Sequence, residues 1–312
     1  MEKDNLTSGF VLLAFSDFHC NRAALFATIL VIYVLTWTAN LVLVSSIKLS
    51  PQLHTPMYFF LGNLSVVDIF LSNVTVPKLL SCILYGRASI TFLGCFLQMF
   101  FFLFLGTTES LLLAVMAFDR CLAICNPLHY ILLMNDRVMV MLGGICWVAG
   151  AAHSILHTYI LSQLAYCEDR LIPHFFCDLT PLIKLSCSST TLAELLIYTE
   201  GSMAVIVPFL FILISYVLIG WAIMKMKTSS SRSKAFSSCS SHLMVICLFY
   251  GSDISIYFRP PSDYSSQYDR IVSMAYTIIT PMLNPFIYSL RNQDVKRALK
   301  KLIMKYFSSQ PN

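Results

Sequence analysis

Charge is scarce in this sequence: 12% of its 312 residues are Asp, Glu, Lys or Arg, against about 25% in soluble domains. Apolar residues make up 57%. That balance excludes an ordinary soluble globule. No loop is long enough for a separate folded domain, and there is neither an internal repeat nor a low-complexity tract. Met1-Glu-Lys-Asp lacks the basic start and short apolar region of a cleaved signal peptide, so the first apolar run is expected to insert the chain itself. Paired halves with broken helices, which a secondary transporter usually shows, are absent. A channel would need a charged or carbonyl-lined constriction, often repeated by oligomerisation. An intramembrane enzyme would need a nucleophile with its base, or a metal set. The best offering is His153 with His157, one helical turn apart and without an evident third ligand. Packing or ligand hydrogen bonding is the expected role of that pair, and no enzyme is expected.

What is present is a set of apolar stretches of the length that a hydrocarbon core requires, about 20 residues at about 1.5 Å each. They run from Ala23 to Ile47, Met57 to Pro77, Phe92 to Phe118, Val138 to Tyr166, Leu195 to Met224, Ala235 to Phe258 and Ile271 to Leu290. Backbone groups cannot stay unpaired in lipid, so these read as helices. An all-α membrane protein follows: a seven-helix bundle over 23–290 between an extracellular tail (1–22) and a cytoplasmic tail (291–312), forming a single domain over 1–312. The tail's Val295, Leu299, Leu302 and Ile303, with Lys296, Arg297, Lys300 and Lys301 between them, fit a short amphipathic helix on anionic lipid.

Seven spans put the two ends on opposite sides. Thirteen Lys and Arg fall on the carboxyl-terminal side and eight on the other. The positive-inside rule therefore puts the amino terminus outside, in a multi-pass protein of the cell membrane. The net charge of +5 reflects this bias; the basic residues flank the spans and are not gathered on one soluble face, so no nucleic-acid partner is expected. Asn5-Leu-Thr7 is then an outward-facing glycosylation sequon, whereas Asn63 and Asn73 carry the same pattern inside the second span. Cys167, Cys177 and Cys187 share the longest outer loop, and Cys95 opens the third span. Four cysteines on an oxidising face suggest two disulfides, with three connectivities open.

An ionisable group within a span costs at least about 2.5 to 3.5 kcal/mol on insertion scales, so each is a functional suspect. Asp68, Glu109, Glu200 and Asp253 are the cases. Asp68 and Glu109, without an intramembrane base, suggest a water-filled pocket for a sodium ion or protons; two neutral acids bonded to backbone and serine are the alternative. Asp119 and Arg120 lie at the inner end of the third span, within reach of the cytosol.

Met116-Ala-Phe-Asp-Arg-Cys-Leu-Ala-Ile-Cys125 resembles the inner end of helix three in rhodopsin-like G-protein-coupled receptors. With Asn126-Pro-Leu-His-Tyr130 it is specifically similar to olfactory receptors. Pro56-Met-Tyr-Phe-Phe-Leu-Gly-Asn-Leu-Ser-Val-Val-Asp68, Ser233-Lys-Ala-Phe-Ser-Ser-Cys-Ser-Ser-His-Leu243 with Leu248-Phe-Tyr-Gly251, and Pro281-Met-Leu-Asn-Pro-Phe-Ile-Tyr-Ser-Leu-Arg-Asn292 resemble that family's signatures on helices two, six and seven. These stretches run in order along almost the whole chain.

The resemblance implies a receptor that binds small volatile odorants and activates a stimulatory heterotrimeric G protein, raising cyclic AMP. Arg120 would pair with Asp119 at rest and reach Tyr216 and the G protein when active. Helix six would move outward from near Lys234, and Asn284, Pro285 and Tyr288 would form the helix-seven switch. Asp68, Glu109 and Asn284 would make an ion pocket for sodium, with no other cofactor or metal. Cys95 would pair with Cys177, and Cys167 with Cys187. The chain departs from the family at Cys121 and Phe118, each where tyrosine is usual, and at Ala39 before Asn40, where glycine is commoner. The Cys121 change forfeits a hydroxyl, so basal activity or coupling strength is expected to differ from the family norm.

Helical rise puts Phe102, Leu103, Gly106 and Thr107 at pocket depth on the third span. Matching family positions adds Glu200, Gly201 and Ala204 on the fifth, Tyr250, Asp253, Ile254 and Tyr257 on the sixth, and Met274 and Thr277 on the seventh. Two acids at that depth would either favour a basic amine or stay protonated and donate to an alcohol or carbonyl; burying two negative charges is costly, which favours the second.

Overall fold

The computed structural model describes residues 9–13, 21–167, 170–257, 266–291 and 295–298. Asn5, Cys20 and most of the basic carboxyl-terminal segment lie outside them.

Seven stretches of helix are long and apolar enough to cross a membrane. Helix α1 (Arg22–Leu49) starts where the Asn21 side chain accepts from the amides of Ala23 and Ala24, satisfying donors that have no partner within the first turn. Helix α2 (Pro56–Tyr85) opens on proline and ends at Gly86, whose φ of 75° is a left-handed cap that suits glycine. Thr91 caps α3 (Phe92–Cys125). A single turn, α4 (Tyr130–Leu133), leads to α5 (Asp136–Ser162), which Asn135 caps. The long loop holds α6 (Leu179–Lys184). Then α7 (Thr191–Leu196) passes through a wide, π-type turn at Ile197–Gly201 into α8 (Ser202–Lys225). After α9 (Ser229–Tyr257), α10 (Ser266–Met274) passes through a second wide turn, Ala275–Ile279, into α11 (Thr280–Arg291).

Several expected limits shift, the third helix for one running on past Phe118 to Cys125. The second helix continues past Pro77 to Tyr85, because an interior proline removes one hydrogen bond and a membrane bundle tolerates that loss. The fourth spanning helix stops at Ser162, four residues short of Tyr166, where the Gln163 amide turns back to Ile160 and Leu161.

Helix α3 is central and packs against α2, α5, α8 and α9. Its approach to α5 depends on small residues. A Cβ on Gly150 would fall 2.4 Å from Thr108 Oγ1 and 2.9 Å from the Phe104 carbonyl. One turn on, the Ser154 hydroxyl donates to the Phe100 carbonyl at 2.5 Å. Such close backbone contact replaces the hydrophobic drive that lipid removes. Polar groups add cross-links: Trp147 Nε1 donates to Asn63 Oδ1 at 3.0 Å, the Tyr33 hydroxyl donates to Asn73, and Asn40 Nδ2 donates to the Pro281 carbonyl at 3.0 Å. Both sequon asparagines of the second span are thus engaged inside the bundle. Val31, Val34, Val148 and Val217 point outward, which suits hydrocarbon surroundings.

The amino-terminal segment is more than the tail expected. Phe10–Leu12 forms strand β1, antiparallel to β2 (Ala88–Ile90) and parallel to β3 (Leu171–Ile172), in the order β2-β1-β3. Phe10 and Leu12 are fully buried, and the Phe10 ring lies 5.5 Å from Phe92 and 5.4 Å from Tyr166. Three residues are too few for a readable alternation. Of the connectivities left open, the structure has Cys95–Cys177 and Cys167–Cys187. Residues 295–298 are helical with Val295 and Ala298 buried; the rest of the expected amphipathic helix falls outside the described residues.

Candidate ligand cavity and switch face

A cavity of about 630 Å³ opens between α3, α7–α8, α9 and α10–α11. Phe102, Leu103, Gly106, Thr107, Gly201, Ala204 and Asp253 line it, as the sequence leads one to expect. Gly106 keeps it open toward span seven, since a Cβ there would lie 3.0 Å from the Tyr276 hydroxyl. The roof is α6, which contributes Leu179, Thr180, Pro181, Ile183 and Lys184. Asp178 Oδ1 caps that helix at 2.8 Å, and the Cys95–Cys177 disulfide ties its start to the top of α3. Gln98 locks the same corner: its Oε1 accepts from the Cys177 amide at 3.0 Å and its Nε2 donates to the Val74 carbonyl at 2.8 Å.

Five expected lining residues sit elsewhere. Tyr250 is buried beneath the cavity, its hydroxyl 2.9 Å from Ser110 Oγ. Ile254 is rotated outward and 43% exposed, because each helical step turns about 100° and Asp253 already holds the inward direction. Thr277 is fully buried and donates to the Ser273 carbonyl at 2.7 Å. Met274 packs against the apolar core. The Tyr257 side chain lies outside the described residues.

Glu200 is the fifth. The wide turn at Ile197–Gly201 aims it at α5, where Oε1 lies 3.0 Å from His153 Nδ1 and Oε2 lies 2.7 Å from His157 Nε2. The histidine pair therefore has a third partner, contrary to the sequence reading, and Glu200 is no longer half of a cavity acid pair. These three ligand atoms lie within 4.8 Å of one another. Two imidazoles and a carboxylate are a donor set that zinc or copper accepts. The two short contacts engage both carboxylate oxygens and one nitrogen of each ring.

Deeper in the bundle, Asp68, Glu109 and Asn284 are all buried, and Asn284 Nδ2 donates to both Asp68 oxygens at 3.0 and 3.1 Å. Tyr276 and Asn284 are the polar groups beside Glu109, yet Glu109 Oε1 and Oε2 and Asn284 Oδ1 meet no hydrogen-bond partner. Tyr276 and Asn284 stay within electrostatic reach of Glu109, and oxygens short of a full hydrogen bond are ligands that suit a hard cation.

At the opposite end, Asp119 is buried, faces Arg120 Nε at 3.9 Å, and accepts from the Tyr130 hydroxyl at 2.7 Å. Burial, foremost, and the Asp119 carboxylate raise the Tyr130 hydroxyl well above the usual phenol range, so it stays a donor. The Tyr216 hydroxyl meets His242 Nδ1 at 2.7 Å. Arg120 acts electrostatically on Tyr216, His242 and Tyr288 from close by. Of the expected switch residues, Asp119, Arg120, Tyr216 and Tyr288, from three helices, gather at this end; Asn284 lies in the deeper pocket, Pro285 lies inside α11, and the Lys234 side chain is outside the described residues.

Known proteins are similar to this chain over nearly its whole length. The family model described as olfactory receptor matches residues 29–306. The chain belongs to the olfactory receptor family. Olfactory receptor 1G1 of Gorilla gorilla gorilla is 47% identical over 305 residues, 97% of each chain. Olfactory receptor 1J1 of Mus musculus is 46% identical over 305 residues, 98% of this chain and 97% of its own. Olfactory receptor 1L6 of Homo sapiens is 47% identical over 297 residues, 95% of this chain and 85% of its own. This olfactory receptor is a seven-helix, multi-pass membrane protein and not an enzyme.

Several of the receptor's converging residues escaped the sequence reading. His242 stood within a recognised stretch and, as a buried histidine in a span, carried the same signal as the four acids. Tyr130 likewise sat in a quoted motif. The α6 contribution to the roof had no such signal, because a six-residue helix in a loop leaves no periodic trace.

Proposed function

We propose that this olfactory receptor sits in the plasma membrane with its amino terminus outside, takes small volatile molecules into the cavity under α6, and activates a stimulatory heterotrimeric G protein that raises cyclic AMP. The observation that carries the reading is the pairing of two sites across one bundle: an enclosed, mostly apolar cavity on the amino-terminal face, and the Asp119–Arg120–Tyr130 and Tyr216–His242 contacts on the other. An odorant must bind the active packing more tightly than the resting one, or occupancy changes nothing. Ligand contacts on α8 and α9 are placed to bias the Tyr216–His242 link between those helices and so to open a cleft beside Arg120. Asp68, Glu109 and Asn284 suit a sodium ion, with the Glu109 oxygens and Asn284 Oδ1 open to it and the Asp68 charge beside them; bound there, it would offset two buried carboxylates and hold α2, α3 and α11 together.

Arg120→Ala tests the proposal. Surface delivery should match wild type while the odorant-evoked cyclic AMP response disappears, and an undiminished response from well-delivered protein would count against the assignment.

A further inference from the structure

Asp253 stands one helical turn beyond Tyr250 on α9 and faces the cavity. Among the described residues its carboxylate accepts no hydrogen bond and joins no ion pair. The other acids are differently placed. Glu200 is held by His153 and His157, Asp178 caps α6, and Glu194 accepts from the Thr190 hydroxyl at 2.7 Å. Of the charged side chains that line the cavity, Asp178, Glu194, Asp253 and Asp269 are acidic and Lys184 alone is a fixed cation. Lys184 sits on the exposed roof, whereas Asp253 lines the cavity with Gly106, Thr107 and the buried rings of Phe102 and Phe249.

We propose that the cavity selects small molecules bearing a protonated amine, with the ammonium held by Asp253 and the hydrocarbon part against Phe102, Leu103 and Phe249. This rests on the reading of the cavity as the odorant site. An unpaired carboxylate loses water when an apolar ligand fills the space around it, and a neutral ligand can return only a single hydrogen bond. An ammonium returns a charge-assisted bond in a low-dielectric setting and keeps two further N–H groups. The hydroxyls of Thr107, Ser110 and Tyr276 line the same space and can accept them.

The test uses matched pairs, hexylamine with hexanol and cyclohexylmethylamine with cyclohexylmethanol, on cells expressing wild type, Asp253→Asn, Asp253→Glu or Ala204→Trp, with cyclic AMP normalised to surface receptor. Each amine should activate wild type at a concentration lower than its alcohol by at least about tenfold. Asp253→Asn should remove that advantage and Asp253→Glu should keep most of it. Alcohols as potent as their amines, a wild type silent to both amines, or an amine advantage that survives Asp253→Asn would each overturn the proposal; the first two require no variant to fold. Ala204→Trp separates the two readings: loss of every response keeps the cavity as the binding site whatever becomes of the amine preference, whereas unchanged responses remove the cavity reading itself.

Discussion

The hydroxyl of Tyr216 on α8 and Nδ1 of His242 on α9 lie 2.7 Å apart, within reach of an Arg120 that still faces Asp119. A buried hydrogen bond of this kind contributes about 0.5 to 1.5 kcal/mol, enough to shift a two-state packing equilibrium severalfold. His242→Phe keeps the volume and removes the acceptor. It should raise ligand-independent cyclic AMP by about two- to tenfold per surface receptor. A basal level equal to or below wild type would show that the link does not hold the resting arrangement.

Glu200 joins α8 to α5 through two histidines, so its first role is to hold helices together. Glu200→Ala takes this partner from the buried His157 ring and the partly buried His153 ring and should destabilise the receptor by about 1 to 3 kcal/mol, the figure being held down by the partial exposure of Glu200. Thermal unfolding of purified receptor would register this as a lower midpoint, and Glu200→Gln should fall between the two. Ala and wild-type midpoints that coincide would leave the cluster without a structural role.

Gly150 permits the closest approach of α3 and α5. Gly150→Val puts side-chain atoms where Thr108 Oγ1 and the Phe104 carbonyl already lie, and should cost about 1 to 3 kcal/mol by overpacking. Surface delivery should drop with it. Gly144, whose added Cβ would meet nothing within 4 Å, supplies the control: Gly144→Ala should be delivered as well as wild type.

His174 is buried beneath the roof with its ring 4.7 Å from Phe175 and 4.5 Å from Phe176. Burial, and then the Arg270 charge, push its pKa down from 6.5 to about 3. The folded receptor thus refuses a proton that the unfolded chain accepts. The stability owed to the neutral ring is complete above about pH 6.5 and is lost as pH falls toward about 3, at no more than about 1.4 kcal/mol per unit. Unfolding midpoints recorded across mildly acidic buffers should fall less steeply for His174→Gln than for wild type. Parallel slopes would refute it.

The spanning helices were readable because lipid demands long apolar runs and punishes every exception, so Asp68, Glu109 and Asp253 announced themselves by their cost. What the sequence hid was rotation and distance. Ile254 and Asp253 are neighbours in the chain yet face lipid and cavity, and the wide turn that swings Glu200 onto His153 and His157 joins residues more than forty positions apart. Tyr250 and Thr277 were given the right depth but are consumed by partners inside the protein, Ser110 and the Ser273 carbonyl. Short elements were invisible for the reason that makes them marginal alone: β1 is held by strands on both sides and α6 by the disulfide-tied loop that carries it.

The register that sets Val11 opposite Leu171 also imposes an order on biosynthesis. The ribosome delivers Phe10–Leu12 almost at once, but the strand it must join leaves the tunnel only after more than half the chain has been made. Until then Phe10–Leu12 can pair only with the earlier Ala88–Ile90 strand, so the three-stranded sheet should be completed only after the fourth crossing has been made.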